Sequence, residues 1–219
     1  MASINNHNQG NTSSSCKAHW EQIYTDKLPA KTSWYQLHPE YSLAMIEDTG
    51  LGIGASLIDV GGGASTLADH LLVAGYLHVT VLDIARTAIE QAKARLGKQA
   101  KMINWMEADI NDYEPAQPFD IWHDRAVFHF LTSEKHRSRY LDTLHKALKP
   151  GGHAIIATFA ENGPSTCSGL EVVHYSPESL NRALGHTLRL AETRSEEHHT
   201  PNGGIQQFSY CRFIRTDNQ

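Results

Sequence analysis

The feature that most constrains this chain is a recurring order of apolar run, turn and amphipathic segment. It is densest in "SLIDVGGGASTLADHLLVAGYLHVTVLDIA", residues 56–85. Apolar runs at 55–60, 78–84, 103–110, 119–124 and 153–159 read as strands. Residues 65–75 carry Leu67, Leu71 and Leu72 at helical spacing, and residues 86–97 form a second helical segment closed by Gly97. A long helix is expected over 133–152, starting on Ser133 and stopped by Pro150-Gly151-Gly152. Ser176 and Pro177 provide an N-cap and first residue for a helix over 176–185. "TLRLAETR" and "QQFSYCRFIR" alternate as two last strands around the turn "TPNGG". Strand and helix in turn, then a terminal hairpin, dictate a mostly parallel sheet covered on both faces. The expected fold is a single α/β Rossmann-like doubly wound sheet of about seven strands.

Residues 1–14 are rich in Asn, Ser, Gln and Gly and are expected to be disordered. The domain then spans 15–219 and opens with a helical lid over about 17–50. Trp20, Ile23 and Tyr24 mark a first short helix, from His19 to Lys27. Pro39 suits the first position of a second, with Leu43, Met45 and Ile46 as its apolar face and Gly50 as its end.

Bulk composition excludes several classes. With a net charge of −5, no broad basic field draws nucleic acid. The three cysteines, Cys16, Cys167 and Cys211, lack the spacing of a disulfide framework or thiolate zinc site. Histidine is abundant at 14 residues, yet no HExxH spacing occurs, and "EEHHT" at 196–200 reads as a polar loop, so no metal is expected. The N-terminus has no signal-peptide pattern, and no apolar run approaches the ~18 residues of a membrane span. The expectation is a cytoplasmic protein, monomer or homodimer, without nucleic-acid or membrane partners.

The glycine turn carries the chemistry. Gly61, Gly62 and Gly63 join a strand to a helix, where glycine permits positive φ and close approach of backbone to a ligand. Asp83 ends the next strand, 20 residues after Gly63, placed to accept from both hydroxyls of a ribose. A dinucleotide fingerprint wants Gly or Ala where this chain has Thr66. Asp59, two residues before the turn, would repel a pyrophosphate but suits a cationic amino group. The third strand ends in Glu107-Ala108-Asp109, an acid available to an adenine amine. These groups match S-adenosylmethionine, which carries an ammonium, a sulfonium, a ribose and an adenine.

"LIDVGGGAST", "VTVLDIA", "MEADI", "FDIWHDRAVFHFL" and "LKPGGHAIIATF" together resemble the successive motifs of class I S-adenosylmethionine-dependent methyltransferases, over about residues 17–215. The resemblance implies the sheet order 3-2-1-4-5-7-6 with strand 7 antiparallel. It implies S-adenosyl-L-methionine as cofactor and S-adenosyl-L-homocysteine as product. Gly61, Gly62 and Gly63 would lie under the methionine portion, with Asp59 orienting its amine. Asp83 would bind the ribose and Ile84 pack on the adenine. Asp109 would take the adenine amine, supported by Ile110.

The acceptor should sit after strand four, where His123, Asp124, Arg125 and His129 crowd together as candidates to orient or deprotonate it. The competing reading pairs Asp124 with Arg125 or Arg137 in a buried salt link and makes His129 a core residue. Trp34 and Tyr35 either face the sulfonium or acceptor or form a hydrophobic staple; Trp34 and His123 are also placed against the cofactor. Residues 161–175, with Cys167, read as a closing loop, in which the thiol either acts chemically or packs. The function expected is methyl transfer to a small-molecule acceptor, with His123 or His129 as base if one is needed. A protein-lysine acceptor stays open because "HWEQIY…SWY" resembles that of some lysine methyltransferases. Two further functions compete with methyl transfer: an NAD-dependent oxidoreductase on a similar sheet, and a non-catalytic S-adenosylmethionine-binding module.

Overall fold

The computed structural model describes residues 13–216. The chain opens with α1 (Ser13–Asp26) and α2 (Glu40–Glu47), then β1 (Ser56–Val60), α3 (Leu67–Val73), β2 (His78–Asp83), α4 (Arg86–Leu96) and β3 (Ile103–Glu107). It continues through β4 (Phe119–Arg125), α5 (Glu134–Ala147), β5 (Leu148–Phe159), the small hairpin β6 (Thr166–Cys167) and β7 (Leu170–Glu171), α6 (Pro177–Leu184), β8 (Leu188–His199) and β9 (Ile205–Arg215). The main sheet has the order β3-β2-β1-β4-β5-β9-β8. The first five of these strands run parallel, and β9 is antiparallel to both of its neighbours. This is the expected order, with β8 and β9 as the sixth and seventh long strands and β6–β7 standing apart.

Alternate residues of the central strands feed two cores, one on each face. Ile58, Trp122 and Ile156 enter one cluster; Leu57, Ile121 and Ile155 enter the other. Burial on both faces explains why these strands read as continuous apolar runs. β1 lies between β2 and β4, so the strand order reverses beside it and opens a crevice at the carboxyl ends of β1 and β4.

Several features differ from the sequence reading. α1 begins at Ser13, inside the segment expected to be disordered; residues 1–12 of that segment lie outside the described residues. Pro39 is the N-cap of α2 rather than its first helical residue. α5 stops at Ala147, because Pro150 cannot continue a helix and the chain enters β5 at Leu148. The "KPGG" run then shifts register against β4, from Phe119 opposite Leu148 to Ile121 opposite His153. Gly152 is required in that shift, since a Cβ there would stand 2.8 Å from the Lys149 carbonyl oxygen. "EEHH" is strand, not loop: Glu196 and His198 are buried and Glu197 and His199 exposed, the alternation of a half-covered strand.

Ser133 and Ser176 cap α5 and α6 as expected, their hydroxyls accepting from the amides of His136 and Ser179, each at 3.2 Å. α5 is tied to β4 by a polar contact inside the apolar core. The Tyr140 hydroxyl donates to Asp124 Oδ2 at 2.6 Å and accepts from Trp122 Nε1 at 2.9 Å. All three residues are fully buried. Tyr140→Phe strips a partner from both a carboxylate and an indole N–H, so it is expected to lower stability by about 2–4 kcal/mol, read as a shifted urea midpoint at neutral pH.

Candidate functional site

β1 and β4 are parallel neighbours, and their register sets Asp59 beside His123. His123 Nδ1 lies 2.7 Å from Asp59 Oδ1, and its Nε2 lies 2.9 Å from the Ser42 hydroxyl on α2. Asp59 is 3% exposed, yet its second oxygen, Oδ2, has no hydrogen-bond partner among the described residues. That atom faces the glycine turn. A Cβ on Gly62 would stand 2.2 Å from it, and a Cβ on Gly63 would stand 2.3 Å from Asp83 Oδ2. Gly61 has φ +68°, and a Cβ there would meet Val127 Cγ2 at 2.2 Å. The turn is thus glycine because two carboxylates and the chain after β4 leave no room for side chains.

Asp83 ends β2 almost fully buried. Its Oδ1 accepts from the Ala85 amide at 2.7 Å, and Gly63 supplies a second amide. Burial first, then the nearby acids Asp59 and Glu21, push its carboxyl up to about 7 against those two donors. Asp109, just past β3, accepts from the Asn111 amide at 2.9 Å and from the Ser13 hydroxyl at 2.7 Å. Ile84 is half-buried beside this edge, whereas Ile110 packs into a core cluster.

α1 lies across these acids, a placement the sequence reading reached only as a lid. Lys17 pairs with Glu107. The Glu21 carboxylate caps α4, accepting from Arg86 N at 2.7 Å and Thr87 N at 3.1 Å. Burial, with Asp109 and Asp83 nearby, raises the Cys16 thiol. Trp20 sets its ring edge-on to Trp34 and Phe130, at centroid distances of 5.8 and 5.2 Å. Beneath this cover remains a cavity of about 50 Å³, lined by Tyr24, Trp34, Ser42, Asp59, His123 and Arg125 among others. Tyr35 lines both this cavity and a larger groove of about 270 Å³ beside Glu197 and His199.

The strand-four residues divide. His123 and Arg125 line the cavity; Asp124 and His129 do not. Asp124 points to the opposite face and accepts from the amides of Val127 and Phe128 as well as from Tyr140. Its expected salt link to Arg125 or Arg137 is replaced by these neutral donors, and burial pushes it up to about 6. His129 is a core residue, packed against the Phe130 and Phe159 rings and accepting from the Phe159 amide at 3.3 Å. Burial, with Arg125 nearby, pushes it down to about 3, so it is neutral at pH 7. Arg125 instead pairs with Glu196 at 3.3 Å, donates to the Tyr210 hydroxyl at 2.8 Å and to the Trp34 carbonyl at 3.2 Å, and lies 4.1 Å from the Phe208 ring centroid. Cys167 is buried in a core cluster, its thiol pushed up to about 11. Among the described residues no group of three or more His, Cys, Asp or Glu could hold a metal, and no helix is long and apolar enough to cross a membrane.

Ser42, Glu196 and Tyr210 are site residues that sequence reasoning missed. Ser42 precedes Met45 and Ile46 by three and four residues, so helical spacing alone sets it on their buried face.

Residues 58–154 match a family model described as a methyltransferase domain. Over that segment the chain is similar to a methyltransferase domain. It is similar to a probable thiol methyltransferase 2 of Arabidopsis thaliana, 29% identical over 144 residues, covering 64% of this chain and 61% of that one. It is also similar to malonyl-[acyl-carrier protein] O-methyltransferase 2 of Ilyobacter polytropus, 25% identical over 108 residues, covering 49% and 40%. The chain thus spans about half the length of the curated relatives it matches. In fold it resembles the N-methyltransferase NodS of Bradyrhizobium japonicum, solved with S-adenosyl-L-homocysteine, with a TM-score of 0.69, 20% identity and coverage of 90% of this chain and 98% of that one.

Asp83 couples stability to pH. Its folded-state value of about 7 exceeds its ordinary 3.8, so the folded protein binds the extra proton. The associated stability is complete below the ordinary value and lost as pH rises through about 7. Asp83→Asn, which keeps an acceptor for Ala85 and removes the buried charge, is therefore expected to raise the melting temperature of the ligand-free protein at pH 8. The gain should shrink towards pH 4 in the same thermal scans.

Proposed function

We propose that this chain is an S-adenosylmethionine-dependent methyltransferase acting on a small-molecule acceptor. One observation carries the reading: two buried carboxylates flank a turn that only glycine can form, and one of them keeps an unpartnered oxygen. Asp59 Oδ2 lacks a donor, and Asp83 is crowded by acids rather than cations. A ligand with a cationic amine and a ribose supplies the missing donors at both places.

Asp59 Oδ2 would accept from the ammonium of the amino-acid tail, with Gly61, Gly62 and Gly63 beneath it. Asp83 would accept from the ribose hydroxyls, with Ile84 beside the base. Asp109 would accept from the adenine amine in exchange for Ser13. When bound there, the cofactor supplies an activated methyl group. The protein's part is then mostly alignment and exclusion of water. Trp34 and Tyr24 form the aromatic wall of the cavity, and Trp20 closes it from outside. An enclosed site under α1 and residues 29–42 favours a small acceptor over a folded protein surface. Of the two histidines considered as base, His123 lines the cavity and His129 does not. Both His123 nitrogens already face Asp59 and Ser42, so this reading gives it to the cofactor side of the site and assigns no base.

A thermal scan separates this reading from a nicotinamide enzyme on a similar sheet. S-adenosyl-L-homocysteine at 100 times its Kd is expected to add about 2.7 kcal/mol of stability, with a matching rise in melting temperature. NAD at the same concentration should leave the midpoint unmoved. A rise with NAD alone would discard the assignment.

A further inference from the structure

Residues 161–175, read from the sequence as a closing loop, are stitched onto the turn that follows β4 and onto the end of β5. The Val173 amide donates to the His129 carbonyl at 2.8 Å, and the Tyr175 amide donates to the Phe159 carbonyl at 3.2 Å. His129 and Phe159 are themselves joined, because His129 Nδ1 accepts from the Phe159 amide at 3.3 Å. Within the segment, His174 Nε2 lies 2.8 Å from the Pro164 carbonyl oxygen. The hairpin β6–β7 adds Cys167 to the apolar cluster that holds Phe159, with Trp34 and Phe130 packed against it. Phe130 meets the rings of both His129 and Trp20, at centroid distances of 4.5 and 5.2 Å. One imidazole thus underlies both residues 161–175 and the aromatic cover contributed by α1.

The geometry allows that imidazole a single protonation state. A backbone amide only donates, so Nδ1 keeps its lone pair and the ring is neutral, with its proton on Nε2. Nε2 is buried without a hydrogen-bond partner among the described residues, so a charged ring would find no acceptor there. The groups that face the ring do not help it to charge. Burial first, then Arg125 on β4 and His174 of the segment, hold the imidazole down to about 3. The Cys167 thiol, pushed up to about 11 by burial, stays neutral beside them. Asp124 takes its donors from Tyr140, Val127 and Phe128 and bonds nothing in the segment, so opening the segment leaves it as it is.

We propose that His129 is an acid-released latch: neutral, it holds residues 173–175 down on the end of β5; once protonated, its ring can no longer accept from Phe159, and the segment comes away. This goes beyond the proposed function and holds whatever group the site transfers. In the open form water reaches the imidazole, which regains its ordinary value of about 6.5. The closed form therefore binds the proton less tightly than the open one. Closure is at full strength above 6.5 and is lost as pH falls from there towards about 3.

Hydrogen exchange of the Val173 and Tyr175 amides, followed by NMR on the whole chain and corrected for the intrinsic pH dependence of exchange, reads the opening equilibrium. Between pH 7 and pH 5 that equilibrium should rise about 25-fold, the ratio that values of 6.5 and about 3 imply. His129→Asn keeps an oxygen to accept from Phe159 and cannot be protonated, so its opening should stay within twofold over the same range. His174→Gln should keep the parent's rise. An unchanged equilibrium in the parent, a rise that survives in His129→Asn, or one that disappears in His174→Gln overturns the proposal. The ring resonances of His129 in the folded parent need no variant to fold. They should hold still between pH 7 and pH 5, and a titration midpoint near 6.5 overturns the latch as well.

Discussion

Two carboxylates held out of water beside a bare backbone turn are the constraint on which the rest of the site depends. Asp59 and Asp83 end neighbouring strands, and each leaves less than van der Waals distance for a Cβ on the turn between them. Their mutual repulsion and burial oppose folding. The fold tolerates them because each takes donors: amides of Gly63 and Ala85 for Asp83, the His123 ring for Asp59. Among the described residues neither acid pairs with a lysine or arginine, and Asp59 Oδ2 is left open to an incoming donor.

The polar layer under residues 32–42 serves a second purpose. Thr66 donates to the Gln36 carbonyl at 2.9 Å, and His198 bonds the Ser33 carbonyl at 2.7 Å. Gln36 and Arg125 share Glu196. These contacts satisfy backbone that would otherwise be buried unpaired where the N-terminal segment crosses the sheet. They explain why Glu196 and His198 lie inside although their neighbours read as a polar loop. The charge of Arg125 belongs to this layer and is matched there.

Much of the fold was legible because parallel strands buried on both faces leave long apolar runs, and right-handed crossovers then restrict their order. The glycine turn, Asp59 and Asp83 were legible for a local reason: each sits at a strand end whose position the runs already define. Tyr210 and Glu196 were not, because what places them is pairing between β4, β9 and β8, far apart in the chain. Spacing set Ser42 on a buried helical face, but not beside His123, which is distant in sequence. Local pattern likewise left open whether Asp124 and Arg125 pair. Strand alternation turns consecutive residues to opposite faces, and it separates the two. "EEHH" misled because its polar residues alternate, which a strand covered on one face by polar groups also produces.

α1 is fastened through Ser13 to Asp109, through Lys17 to Glu107 and through Glu21 to the start of α4. The first of these acids is one the proposed reading gives to the nucleoside. A small molecule arriving at the crevice therefore competes with the protein's own hydroxyl for the same oxygen. The Lys17 side chain is about half exposed to solvent, where dissolved ions weaken its hold. On that reading the cover over the nucleoside acids is held partly by a contact the ligand must replace and partly by one that salt screens.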